Sequence, residues 1–365
     1  MVAATARAPL PAIALIAADA ARPVLPDLYL WDMWPVTEVD GTTARFDGAQ
    51  LWLVLAAPRE GDPDERHHRS RIRLLQCCGG QWTDLGDAMP DGFSPGSREW
   101  AGSAVVDAAH TCVTLYFTAA GRRGEASATF EQRLFAASAG LALDAGRAAL
   151  VDWSPPVEIV ANDGVAYAPT HDSLGGAGQI KGFRDPAWFR DPVDGAEYML
   201  FTGSASPEAG AFDGVVGIAR RDGARWVLLP PIVTALGVNR ELERPHVVHV
   251  AGLYYLFWST QRSVFASGAT SGPTGLYGMV AVSLAGPYRP LNGSGLVAAN
   301  PDAEPFQAYS WLVLSTLEVV SFVDHWGLGG AVLADHPELV CRQFGGTPAP
   351  RFSIALDGAS ATLID

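Results

Sequence analysis

Three acidic residues of this chain share one local setting: Asp32 in Trp31-Asp32-Met33-Trp34-Pro35, Asp185 in Arg184-Asp185-Pro186, and Glu243 in Glu243-Arg244-Pro245. Singly, a carboxylate near a proline is turn punctuation, because Asp and Glu cap turns and proline fixes the following φ. Three at corresponding positions mean more, since gathering like charges costs free energy unless function or partners hold them. Arg184 and Arg244 each sit beside one of the three. An arginine lowers a neighbouring carboxylate's pKa and carboxylates raise one another's, so such a set can keep some members ionised and one protonated. Cleavage of a glycosidic bond with retention uses that division, with an ionised nucleophile and a protonated general acid roughly 5–5.5 Å apart. Trp31, Trp34 and Trp100 stand near the same openings, where an indole face can stack on a sugar ring and exclude water.

A repeat brings the three carboxylates together. Each unit opens with a carboxylate or aromatic cluster, continues as an apolar run, turns, and returns as a second apolar run rich in aromatics. The first runs from Trp31 through Asp40-Gly41 to Leu51-Trp52-Leu53-Val54-Leu55. The second runs from Arg98-Glu99-Trp100 to Val113-Thr114-Leu115-Tyr116-Phe117. The third runs from Arg184 through Asp194-Gly195 to Tyr198-Met199-Leu200-Phe201. The fourth runs from Glu243 through Ala251-Gly252 to Tyr254-Tyr255-Leu256-Phe257, and a weaker fifth from Tyr309-Ser310-Trp311 to Val319-Val320-Ser321-Phe322. Hairpins with so much apolar surface must stack radially. The expected fold is all-β, a five-bladed β-propeller with a central funnel-shaped active site, whose innermost strands begin at the carboxylates. Residues 1–24 read as an N-terminal arm and 25–365 as one catalytic propeller domain.

Of the 365 residues, 48% are hydrophobic, enough for a sizeable core, and no stretch approaches the roughly 20 apolar residues of a membrane span. The net charge of −14 repels nucleic-acid phosphate and anionic membrane, so neither is expected as a partner. Cys77, Cys78, Cys112 and Cys341 lack zinc-ligand spacing and read mostly as buried thiols, with a bridge from Cys341 to a distant partner as the alternative. The apolar run near Ala12–Ala18 has a thin basic flank, only Arg7, and prolines nearby. A disordered or surface-draped arm is therefore preferred to a signal peptide, and cytoplasmic and secreted locations both stay open. With no EF-hand loop and no phosphate-binding glycine motif, no metal or other cofactor is expected. His67 and His68 read as scaffold, and His246 and His249 as satisfied structural histidines.

At these motifs the chain resembles the levansucrase and inulosucrase family, glycoside hydrolase family 68. The segments that carry the resemblance are WDMWPV (31–36), DPDERHHRSRIRL (62–74), SREWAGSA (97–104), FEQRLFAA (130–137), FRDPAWF (183–189), ELERPHVV (241–248), GPYRPLNGSGLV (286–297) and FGGTPAP (344–350), in the family's order over nearly the whole chain. The resemblance implies sucrose and sugar acceptors as partners. Asp32 would attack the anomeric carbon of the fructosyl unit to form a covalent fructosyl-enzyme. Glu243 would protonate the departing glucose oxygen and then activate water or an acceptor hydroxyl. Asp185 would stabilise the oxocarbenium-like transition state, with Arg184 orienting it. Glu241 would contact the glucosyl side, and Arg262 would lie where the acceptor enters.

Three positions depart from the family pattern. Ala101 replaces a serine that hydrogen-bonds the nucleophile, Thr202 replaces a glutamate, and Gln261 stands where polymer-forming members carry histidine or arginine. These changes are expected to touch acceptor and glucosyl contacts more than bond cleavage. The expected activity is a retaining, β-fructofuranosidase-like transfer of fructose to water or short acceptors. The alternatives are a levansucrase building long β-2,6 fructan and, from another class, a non-catalytic carbohydrate-binding propeller.

Overall fold

The computed structural model describes residues 10–170, 180–206, 210–268 and 271–364. Residues 1–9 of the expected arm and Asp365 at the end of the expected domain lie outside the described residues. Five antiparallel meanders follow one another. The first comprises β1 (Leu28–Thr37), β2 (Gln50–Pro58), β3 (Arg71–Cys78) and β4 (Gln81–Asp87). The second has β5 (Arg98–Val106), β6 (Cys112–Ala120), β7 (Gln132–Asp144) and β8 (Arg147–Val151), with β9 (Val157–Val160) also on β7. The third has β10 (Phe183–Arg190), β11 (Glu197–Ser204), β12 (Gly214–Asp222) and β13 (Arg225–Thr234). The fourth has β14 (Glu243–Val250), β15 (Leu253–Thr260) and β16 (Gly275–Ala281), with β17 (Arg289–Pro290) and β18 (Leu296–Ala299) both on β16. The fifth has β19 (Ala308–Val313), β20 (Glu318–His325), β21 (Phe344–Pro348), β22 (Phe352–Asp357) and β23 (Ser360–Ile364).

Burial explains why the second strand of each meander reads as a continuous apolar run. Leu51 to Ala57 of β2 are all buried, as are Met199 to Ser204 of β11 and Tyr254 to Thr260 of β15. A strand covered on both faces by neighbouring sheets loses the polar half of the two-residue alternation. At the rim that cover ends, and β23 alternates exposed and covered positions.

The first strands ring a common axis, and polar ties stitch each to the next. β1 pairs in parallel with β5 at Val36–Ala104 and Thr37–Val105. Trp188 N–H of β10 donates to Ser103 Oγ of β5 at 2.9 Å, and Arg244 N–H of β14 donates to Thr202 Oγ1 of β11 at 3.0 Å. Val313 N–H of β19 donates to His246 Nε2 of β14 at 2.9 Å. The ring closes where Arg59, just after β2, donates to the carbonyl of Gly345 in β21 at 2.8 Å while its guanidinium covers the Tyr29 ring. Outside the ring, Ile13 N–H donates to the carbonyl of Ala299, and Gln307 holds Ile16 N–H and the Ala14 carbonyl, so this part of the arm lies along the last two meanders.

The thiols differ from expectation. All four are free, and only Cys77 is buried; Cys78 and Cys341 are exposed and Cys112 is half-buried. Cys77 and Cys78 are adjacent on β3, so one faces the packed side and the other faces solvent.

Candidate active site

Each of the five innermost strands breaks its pairing register at the same height. The shifts fall between Trp31 and Met33, Trp100 and Gly102, Arg184 and Ala187, Glu243 and His246, and Tyr309 and Leu312. A bulge sets two residues against one on the partner strand and re-aims a side chain. Here Asp185, Arg244 and Ser310 carry left-handed backbone, with φ of 62°, 51° and 60°. Pro186 and Pro245 mark two of the bulges, and a bulge is one of the few places inside a sheet where proline is tolerated. Gly102 serves the second bulge, since a Cβ there would sit 1.9 Å from the Tyr116 carbonyl oxygen.

The bulges aim Asp32, Trp100, Asp185, Glu243 and Tyr309 into one cavity of about 550 Å³. Arg184 organises it. Its Nη2 donates to Glu243 Oε1 at 2.6 Å and lies 3.6 Å from Glu241 Oε1, while its Nε lies 3.6 Å from Asp185 Oδ2. Burial alone would lower the Arg184 pKa, but Glu241, Glu243 and Asp185 together raise it, so the guanidinium stays charged. Tyr309 OH donates to the second oxygen of Glu243. Asp185 Oδ2 accepts from Thr202 Oγ1 at 2.8 Å, and Asp185 N–H donates to Thr118 Oγ1 at 2.9 Å. Burial raises the Asp185 carboxyl to about 6; Arg184 and Thr202 oppose the rise, and Asp32 and Glu243 add to it. Glu241 is raised by burial and by Glu243, against Arg184. Asp32 is half-buried, and its carboxylate makes no hydrogen bond to any described residue. The site thus offers one unpartnered carboxylate, a second held between a guanidinium and a phenol, and a third anchored at 6% exposure.

Most of the residues expected from sequence meet here. Trp31, Trp100, Arg184, Glu241 and Gln261 line the cavity with the three carboxylates, Gln261 at its exposed rim. Trp34 does not. It lies three residues beyond the cavity-lining Trp31 on an extended strand, on the order of 10 Å away, and lines a separate cavity further down the axis. Arg262 is exposed and outside the lining, although Gln261 and Ser263 line it. Gln261 caps and Ser263 lies within a 3₁₀ turn, Arg262–Val264, with about three residues per turn, which carries the Arg262 side chain between them away.

Other residues of the site take roles that the sequence does not assign them. Residues Pro63–His68 form a 3₁₀ turn rather than a scaffold strand, and Arg66, His67 and His68 line the cavity. His67 packs edge-on against Trp31 at 5.7 Å, and its carbonyl accepts from Trp100 Nε1 at 3.3 Å. Burial and then the charges of Arg66, His68 and Arg184 push its pKa well down, so the ring is neutral. Arg244 donates to the carbonyls of Met33 and Ser310 and to Ser310 Oγ, tying three innermost strands with neutral acceptors. Thr202 corrects the expectation drawn from its substitution, because it braces Asp185 rather than an acceptor or glucosyl position. The sequence places Tyr309 at the opening of the fifth unit without giving it a chemical role. Its signal was its register, matching the other openings. Among the described residues, no cluster of His, Cys, Asp and Glu is arranged to hold a metal ion.

The model of the Levansucrase/Invertase family matches residues 2–216 and 208–364 of the chain. Levansucrase LscA of Pseudomonas savastanoi pv. glycinea is 34% identical over 387 residues, covering 92% of this chain and 86% of that one. A levansucrase of Rahnella aquatilis is 33% identical over 391 residues, covering 93% and 87%. Among solved structures, the inulosucrase of Halalkalicoccus jeotgali bound to kestose superposes with a TM-score of 0.88 at 37% identity, covering 98% of this chain and 92% of that chain.

Proposed function

The chain belongs to glycoside hydrolase family 68, the levansucrase/invertase family, and from that premise we propose that it cleaves sucrose by double displacement and passes the fructosyl group to water or short sugar acceptors. The observation that carries the reading is Arg184 bound between Glu241, Glu243 and Asp185 in the cavity that Asp32 enters without a partner. Asp32 attacks the fructosyl anomeric carbon, and Glu243, fixed by Arg184 and Tyr309, gives its proton to the departing glucosyl oxygen. The covalent fructosyl-enzyme is then opened by water or a sugar hydroxyl that Glu243 deprotonates. Asp185, held by Thr202, meets fructosyl hydroxyls as positive charge grows on the ring, and Trp31 and Trp100 form apolar walls. Ala101, which prompted the non-catalytic alternative, is fully buried, with its carbonyl accepting from Thr118 Oγ1, and every carboxylate stays in place beside it.

Transfer to small acceptors is favoured over long-chain synthesis. Gln261 supplies a neutral rim in place of the basic or histidine side chain expected of polymer formers. Chromatography of products from sucrose tests this. Glucose should appear with free fructose and short oligosaccharides; abundant high-mass fructan would replace the reading with a levansucrase, and absence of glucose would remove both.

Ionisation of Asp185 sets an expected pH dependence. With its carboxyl near 6, kcat/KM should fall as pH drops through about 6, because the protonated form no longer stabilises positive charge. Thr202→Val removes a hydrogen bond that favours the ionised form, so the acid limb should move up by about half to one pH unit. A pH–rate profile of the variant that overlays the wild type would exclude Asp185 as the group responsible.

A further inference from the structure

The five innermost strands build two cavities. Their N-terminal halves line the site above, and their C-terminal halves enclose a second space of about 460 Å³ at the other end of the axis, with Trp34, Ser103, Trp188, His249 and Val313 each coming from a different strand. Arg244 ties β14 to β1 and β19 between the two halves. The volume lies in the range of small-molecule sites, and nothing in the proposed reaction uses it.

Its chemistry is specific. Trp34, Trp188, Phe189 and His249 contribute rings. Trp188 is fixed in advance, its Nε1 donating to Glu197 Oε2 at 3.1 Å and its N–H to Ser103 Oγ at 2.9 Å, so ordering it on binding loses little freedom. Trp34 Nε1, His249 Nε2 and Ser315 Oγ have no hydrogen-bond partner among the described residues, and Trp34 is 2% exposed. His246, by contrast, uses both ring nitrogens, on the Arg244 carbonyl and on Val313 N–H. Buried polar atoms are almost always paired; the three of this cavity are not, and neither are Trp31 Nε1 at the catalytic cavity and Trp153 Nε1 and Trp311 Nε1 elsewhere. The charged side chains of the lining hydrogen-bond neutral partners: Asp191 accepts from Tyr254 OH and Val193 N–H, Asp40 accepts twice from Thr42, and Arg190 Nε donates to the Gly195 carbonyl. Aromatic rings set among hydrogen-bonding side chains suit a polyhydroxylated ring, which offers an apolar face and hydroxyls at its edge.

We propose that this far end of the axial channel is a second, non-catalytic binding site for a neutral sugar. The probe is sucrose, titrated calorimetrically into Asp32→Ala protein so that no turnover intrudes. A binding event is expected that weakens at least about tenfold when Trp188→Ala is added and persists with Trp188→Phe, which keeps an aromatic face. Ser315→Ala, a smaller change, should weaken the same event and serves if the Trp188→Ala protein fails to fold. In otherwise wild-type protein, Trp188→Ala should leave the initial rate of glucose release within about twofold. Sucrose binding unmoved by both Trp188→Ala and Ser315→Ala, or absent up to the solubility of the sugar, overturns the proposal. The binding readout needs no catalysis, so it can fail while the proposed reaction stands, and the reverse.

Discussion

Asp32→Ala should lower the rate of glucose release from sucrose by at least about 10⁴-fold, the scale seen when a nucleophile of a covalent mechanism is removed. The structure makes this loss separable from damage to the fold. The Asp32 carboxylate hydrogen-bonds no described residue, so its truncation leaves no polar group stranded. Its charge also raises the pKa values of Asp185 and Tyr309, so removing it relieves repulsion in the cavity. The variant should therefore melt at or slightly above the wild-type temperature while turning over almost nothing. Mass spectrometry during turnover should show a fructosyl adduct on the wild type and none on the variant. Retained cleavage would reassign the nucleophile. A lowered melting temperature would mean that Asp32 supports the fold through a contact other than the repulsion described here.

The expected repeat and the observed meanders coincide at the strand pairs β1–β2, β5–β6, β10–β11, β14–β15 and β19–β20. That much was legible because second strands buried on both faces leave long apolar runs, and first strands open on residues that are unusual in a core. What could not be read was pairing. A bulge is a property of two strands, and only the prolines of the third and fourth units hinted at it. Without the bulges, nothing distinguishes Trp31, which reaches the carboxylates, from Trp34, which faces the far cavity. The Arg66–His68 turn was missed for a related reason. It folds over the cavity from the connection between β2 and β3, and its packing on Trp31 and Trp100 has no counterpart in local sequence. His249 was expected to be satisfied like His246. Three residues apart on one strand they share no partner, and only His246 lies opposite a free backbone N–H.

Asp185→Asn should cost activity and add stability. The asparagine keeps shape but cannot bear the charge that meets the oxocarbenium-like transition state, so kcat should fall on the order of 10²–10³-fold. Stability moves the other way because the folded carboxyl, at about 6, lies above its ordinary value of 3.8. Between those values the native protein holds a proton that the unfolded chain releases, so wild-type stability declines as pH rises through that window and stays lower above it. A shift of about two units corresponds to about 3 kcal/mol, and at 6% exposure little of it is screened by solvent. The asparagine has no such proton to lose. Its melting temperature should exceed the wild type's by a few degrees at pH 7.5, and the two melting curves should converge toward pH 4. Groups other than Asp185 titrate alike in both proteins, so the difference isolates this carboxyl. Equal stability at pH 7.5 would mean that Arg184 and Thr202 compensate the burial in full. A gain confined to neutral pH would instead measure what the fold gives up to keep an ionised carboxylate where the chemistry needs it.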